Sequence, residues 1–181
     1  MDETISHSPK KTNIQFGILF GVIMVLEFVV TYVIGLEKLT DSSASTIMSV
    51  FNYVIFPVLF IYLGCNSYKT ANHGYITFSE CLKMGVSITV IAALIYAVFY
   101  IVFSLIFPDF TDQVLAMSRS QMLKSNPDMT SEQLEMGMSM AKKFTSPYII
   151  APITMVMYAF IGLIYSLIIG AIIKKDKPVS F

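Results

Sequence analysis

Charge is what this 181-residue sequence has least of: 13% of its residues are charged, against 55% hydrophobic, and 12 Lys plus Arg balance 12 Asp plus Glu. A neutral balance offers nothing to a polyanionic partner, and no basic patch with interleaved aromatics is present, so nucleic acid is excluded as a partner. Only two cysteines occur, Cys65 and Cys81. They flank one short polar loop without C-x-x-C spacing, which removes them as metal ligands. Nucleophile and base pairs, phosphate-cradling glycines and H-E-x-x-H are also missing. The sequence therefore predicts no catalytic residue, no cofactor and no metal, and a protein that is not an enzyme.

What is present is long apolar runs. A mean hydropathy of +0.70, gathered into uninterrupted blocks rather than spread through a soluble core, points to lipid as the solvent. Four spans are expected, at about 14–36, 47–65, 78–107 and 148–173, in a single membrane domain over 1–181. The first block is too long for a signal-peptide core, and Ser42-Ser43-Ala44 stand well past its end, so an uncleaved span is expected. The second is short and carries Pro57, which cannot donate to the carbonyl of Tyr53 and predicts a bend. A polar loop over Asn66–Thr77 leads to the third, which stops at Pro108-Asp109.

The polar stretch 108–146 reads as two short helices. Asp109 is placed to cap the first, Asn126-Pro127-Asp128 breaks the chain, and Thr130 with Gln133 makes a capping-box pattern for the second. Pro147 suits the first turn of the last span. The expected fold class is all-α: an integral membrane four-helix bundle with an extracytoplasmic helical hairpin between spans three and four. Lys10, Lys11, Lys69, Lys83, Lys174, Lys175 and Lys177 fall on one side and only Lys38 in the short opposite loop. The positive-inside rule then puts both termini in the cytoplasm and 108–146 outside. On that side of the membrane Cys65 and Cys81 are expected as free thiols.

Glu27 is the most informative residue, because an acid near the middle of a span costs roughly 2.5–3.5 kcal/mol to insert. It is either a relay or binding acid, or a neutral carboxylic acid hydrogen-bonded to a neighbouring helix; the lack of companion acids favours the second. The Tyr53 carbonyl freed by Pro57 and the hydroxyls of Tyr96 and Tyr158 are the partners within reach. Small residues at helix-packing spacing recur: Gly17 and Gly21 in span one, Ala93 and Ala97 in span three, Gly162, Ser166 and Gly170 in span four. They predict close backbone approach, within the bundle rather than between copies.

Met136-Gly137-Met138-Ser139-Met140, with Met129, has the thioethers of a Cu(I) site, but on a helix Met136 and Met140 share a face that Met138 leaves, so apolar packing is the expectation. Tyr32, Tyr62, Tyr68, Tyr75 and Tyr148 lie near span ends, as in an interfacial belt. His73, alone in its loop, reads as solvated.

With Gly74-Tyr75-Ile76-Thr77-Phe78-Ser79-Glu80 running into Lys83-Met84-Gly85, a Phe107-Pro108-Asp109-Phe110 stop and a Ser146-Pro147 start to a span closing on Lys174-Lys175, nearly the whole chain resembles a family of bacterial four-span membrane proteins catalogued as a domain of unknown function, DUF4199. The resemblance implies a fold and a membrane location and carries no activity or site residues. The expected function is a non-enzymatic structural or accessory component of the bacterial cytoplasmic membrane. Its partners would be the lipid bilayer and, through 108–146, a second copy or another envelope protein. The competing reading is a small oligomeric transporter or channel using Glu27 as a midplane acid.

Overall fold

The computed structural model describes residues 9–35 and 42–177. These form α1 (Pro9–Ile34), α2 (Ser42–Val50), a π-helical turn (Phe51–Ile55), α3 (Phe56–Ala71), α4 (Phe78–Ile106), α5 (Asp109–Ser125), α6 (Ser131–Thr145) and α7 (Pro147–Ile173). Among the described residues the architecture is all-α, and four helices are long and apolar enough to cross a membrane: Pro9–Ile34, Ser45–Ala71, Phe78–Ile106 and Pro147–Ile173. Lys38 and Leu36, which entered the reading of the first loop and span, lie outside the described residues.

The apolar side chains face outward to an unusual degree: Val156 is 72% exposed and Ile172 75%. Thr89 and Ser166, by contrast, are completely buried. A soluble protein would not leave such a surface in water; hydrocarbon makes it ordinary, and the small polar groups inside become contacts between helices.

Helix α4 is the central element, packed against α7 most extensively and against α1 and α3 as well. Small residues set those distances. A Cβ on Gly17 would come within 2.7 Å of Ile91 Cβ, and one on Gly21 within 2.9 Å of Ile95 Cβ, both on α4. On the other side Gly162 lies against Thr89, and Gly170 against Phe78 and Cys81. Ala93 and Ala97 are buried on α4, and Ser166 turns its hydroxyl back onto the Leu163 carbonyl at 3.0 Å, leaving its buried face thin.

Three sequence expectations need correction. The second span does not end at Cys65: α3 runs on through Ala71, replacing the first half of the expected loop. Asn66, Ser67 and Thr70 look polar in sequence, yet they are exposed while Ile61, Gly64, Cys65 and Tyr68 keep one buried stripe at helical spacing. Asp109 does not cap α5: it is the first helical residue, Pro108 holds the cap position without a side-chain bond, and the aspartate acts through its charge near the positive helix end. Tyr68 is not a belt tyrosine, being 5% exposed with its hydroxyl donating to Glu80 Oε1 at 2.9 Å. The Thr130–Gln133 capping box is formed in both directions, and Pro147 opens α7.

The end of the assembly that carries the 72–77 turn is tied together by hydrogen bonds. Thr77 and Glu80 form a capping box at the start of α4. Ile76 and Lys175 exchange backbone hydrogen bonds of 3.0 and 2.8 Å, and Lys69 Nζ donates to the Ile173 carbonyl at 2.8 Å, satisfying the C-terminus of α7. Beneath them Cys65 and Cys81 are free and fully buried, their sulfurs 2.9 Å apart. At the opposite end Phe110 of α5 seats in an aromatic cluster with Phe28, Tyr32, Tyr100 and Phe103, which ties the hairpin to α1 and α4.

Candidate intramembrane site at Glu27

Pro57 sets the site up. Lacking an N–H, it leaves the Tyr53 carbonyl without its α-helical donor. The preceding turn is wound as a π-helix, in which the carbonyl of Asn52, five residues before Pro57, is deprived in the same way. In hydrocarbon two such carbonyls are costly unless a donor reaches them. Two tyrosines of α7 do so: Tyr158 Oη donates to the Asn52 carbonyl at 3.3 Å and Tyr165 Oη to the Tyr53 carbonyl at 3.0 Å. The expected Pro57 bend is thus a π turn latched to α7.

The same turn supplies the partner of Glu27. Asn52 Nδ2 donates to Glu27 Oε1 at 2.8 Å and also approaches the Met48 carbonyl at 3.2 Å. Sequence reasoning offered the Tyr53 carbonyl, Tyr96 and Tyr158 as partners. The structure gives the first to Tyr165 and turns Tyr158 to the backbone of Asn52. Tyr96 shares the space with Glu27 without a hydrogen bond between them among those formed. Asn52 and Tyr165 were missed; the available signal was an amide five residues ahead of a proline in an otherwise apolar block. Glu27 lies seven residues, or about 10 Å, before the end of α1, on the side of the hairpin.

Around this pair is a cavity of about 380 Å³. Glu27, Phe28 and Thr31 of α1 stand on one wall, Ser49, Asn52 and Tyr53 on a second, and Tyr96 of α4 with Thr154 and Tyr158 of α7 on a third. It exists because α2 makes little contact with α1, while α3 beyond the π turn packs closely. Toward the chain termini an aromatic plug closes it: Phe20 stacks on Phe60 with centroids 5.1 Å apart and meets the Tyr158 ring edge-on at 5.9 Å, within a buried cluster that includes Ile88 and Ala92.

The remaining candidates are placed apart from it. Met136 and Met140 share an exposed face of α6 and Met138 is half-buried, as a helix requires. His73 is exposed in the turn after α3 with a φ of 57°. Among the described residues no three His, Cys, Asp or Glu side chains group as a metal site would need.

The chain matches no curated protein and no solved structure. A match to the sequence pattern of the proteins of unknown function DUF4199 extends over residues 15–175, from the first turns of α1 to the bridge at Lys175. The chain belongs to that family.

Proposed function

We propose that the protein is a non-enzymatic accessory component of a bacterial envelope, held in the cytoplasmic membrane with both termini inside and the α5–α6 hairpin outside. The lysine distribution supports that orientation, since Lys69, Lys174, Lys175 and Lys177 gather with the 72–77 turn and the positive-inside rule assigns such an end to the cytoplasm. One observation carries the accessory role. Met136, Met140 and Phe144, at helical spacing on α6, are 65%, 57% and 56% exposed, while the opposite face of that helix packs on α5, with Gly137 against Met122. Beside the row stand Glu132, Glu135, Lys142 and Lys143, so it is an apolar strip with a charged edge that α5 and α7 leave uncovered.

A photoreactive residue in place of Met136 or Met140, activated in intact cells, is expected to give a discrete protein adduct. The same residue in place of the exposed Gln121 on α5 should give none. Adducts to lipid alone, or equal yields from all three positions, would overturn the reading.

A second reading, the small transporter, is favoured by the cavity at Glu27. Ion or proton flux in proteoliposomes would then depend on the Glu27 carboxyl. The Phe20–Phe60 stack beneath the cavity argues instead for a vestibule open to one side only.

A further inference from the structure

The accessory reading leaves the cavity at Glu27 unexplained. We propose that it is a binding site for an organic ammonium ion with a small apolar body. The volume, about 380 Å³, lies in the range of small-molecule sites, roughly 300–1,000 Å³. Its polar focus is the Glu27 carboxyl, and the hydrogen bond from Asn52 at 2.8 Å engages Oε1 and fixes the direction of the group. Among the described residues that line the cavity none is basic, so none of them neutralises the Glu27 carboxyl. A bound cation would hold that carboxyl ionised, and in low-dielectric surroundings the pairing is strong.

The rings are the second argument. Phe28, Tyr53, Tyr96 and Tyr158 surround the space, and Tyr53 and Tyr158 are 6.2 Å apart at a tilt of 38°. Aromatic faces beside a carboxylate are the chemistry that recognises alkylammonium groups, by cation–π attraction added to charge. A hard metal ion favours several charged oxygen ligands together, and Glu27 is the one acid among the described residues that line the cavity. An ammonium of this kind has two sources: a soluble amine, or the headgroup of an aminophospholipid.

Calorimetric titration of the full-length protein in dodecyl maltoside with 2-phenylethylammonium chloride tests the first source. Native mass spectrometry for retained phosphatidylethanolamine tests the second. The wild type should bind 2-phenylethylammonium, and Glu27→Gln should weaken it by about 10- to 100-fold, the loss of a charge-assisted contact. The neutral 2-phenylethanol should be indifferent to that substitution. Thr154→Phe, which fills the cavity and keeps the charge, should also abolish binding, and thermal unfolding of each variant reports whether it is folded. Phosphatidylethanolamine retained by the wild type and lost from Glu27→Gln would support the same site with a lipid ligand. Binding of neither probe, or binding unchanged by both substitutions, would overturn the proposal.

Discussion

Gly85→Leu is expected to abolish the folded protein, and Gly85→Ala to destabilise it by up to about 2 kcal/mol. Gly85 sits where α3, α4 and α7 converge: a Cβ there would collide with Ser166 Cβ and stand 3.1 Å from Ile61 Cγ2. Because the obstructing Ser166 atom is itself a Cβ, relief requires the backbone of α7 to move, and α7 makes its largest contact with α4. Overpacking of this kind costs about 1–3 kcal/mol, whereas alanine gains at most about 1 kcal/mol over glycine in helix propensity. The clash therefore wins. Ser166→Gly removes the obstructing atom, and since the Ser166 hydroxyl only bonds back to its own helix at Leu163, its loss is cheap. The pair Gly85→Ala with Ser166→Gly should recover most of the stability, a coupling that a double-mutant cycle reads directly. Reversible unfolding in mixed detergent and dodecyl sulfate micelles measures it. Equal stability of Gly85→Ala and the wild type would show that α4 and α7 do not approach as described.

At Glu27 the larger effect comes from the partner rather than from the acid. Asn52→Leu leaves the carboxyl without its amide donor inside the span and should cost about 1–3 kcal/mol, the loss of a satisfied buried polar group. Glu27→Gln keeps an oxygen in place of Oε1 to accept from Asn52 Nδ2 and should stay within about 0.5 kcal/mol of the wild type. Replacing both Glu27 and Asn52 with leucine removes the polar pair whole and should be milder than Asn52→Leu alone. The same unfolding assay ranks the three variants. A Glu27→Gln protein less stable than Asn52→Leu would mean that the carboxylate is held by charge rather than by this hydrogen bond.

The long apolar runs made α1, α4 and α7 visible in the sequence, because hydrocarbon thickness dictates their length and few residues other than apolar ones are tolerated there. Local signals were equally plain at Thr130–Gln133 and Pro147, whose partners lie within a single turn. The second span was harder. Asn66, Ser67, Lys69 and Thr70 break its hydropathy, and only the stripe from Ile61 to Tyr68, which needs the neighbouring helices to define its buried side, shows that the helix continues. The site was legible in part. Glu27 and Pro57 announced themselves as an acid and an imino acid in apolar blocks, and Tyr158 reaches the turn before Pro57. Asn52 and Tyr165 did not, because a π turn has no sequence code of its own. It arises where a proline removes donors and a facing helix can replace them. The cavity and the 2.9 Å approach of Cys65 to Cys81 depend likewise on how separate helices lean on one another.

Both native cysteines are completely buried, so new ones report topology without interference from them. Single cysteines at Thr70, exposed at the end of α3, and at Ser125, exposed at the tip of the hairpin, stand at opposite ends of the assembly. A membrane-impermeant maleimide applied to intact cells should label Ser125→Cys at once and Thr70→Cys only after permeabilisation. Labelling of both from the same side would contradict a chain that crosses the membrane four times with its hairpin outside.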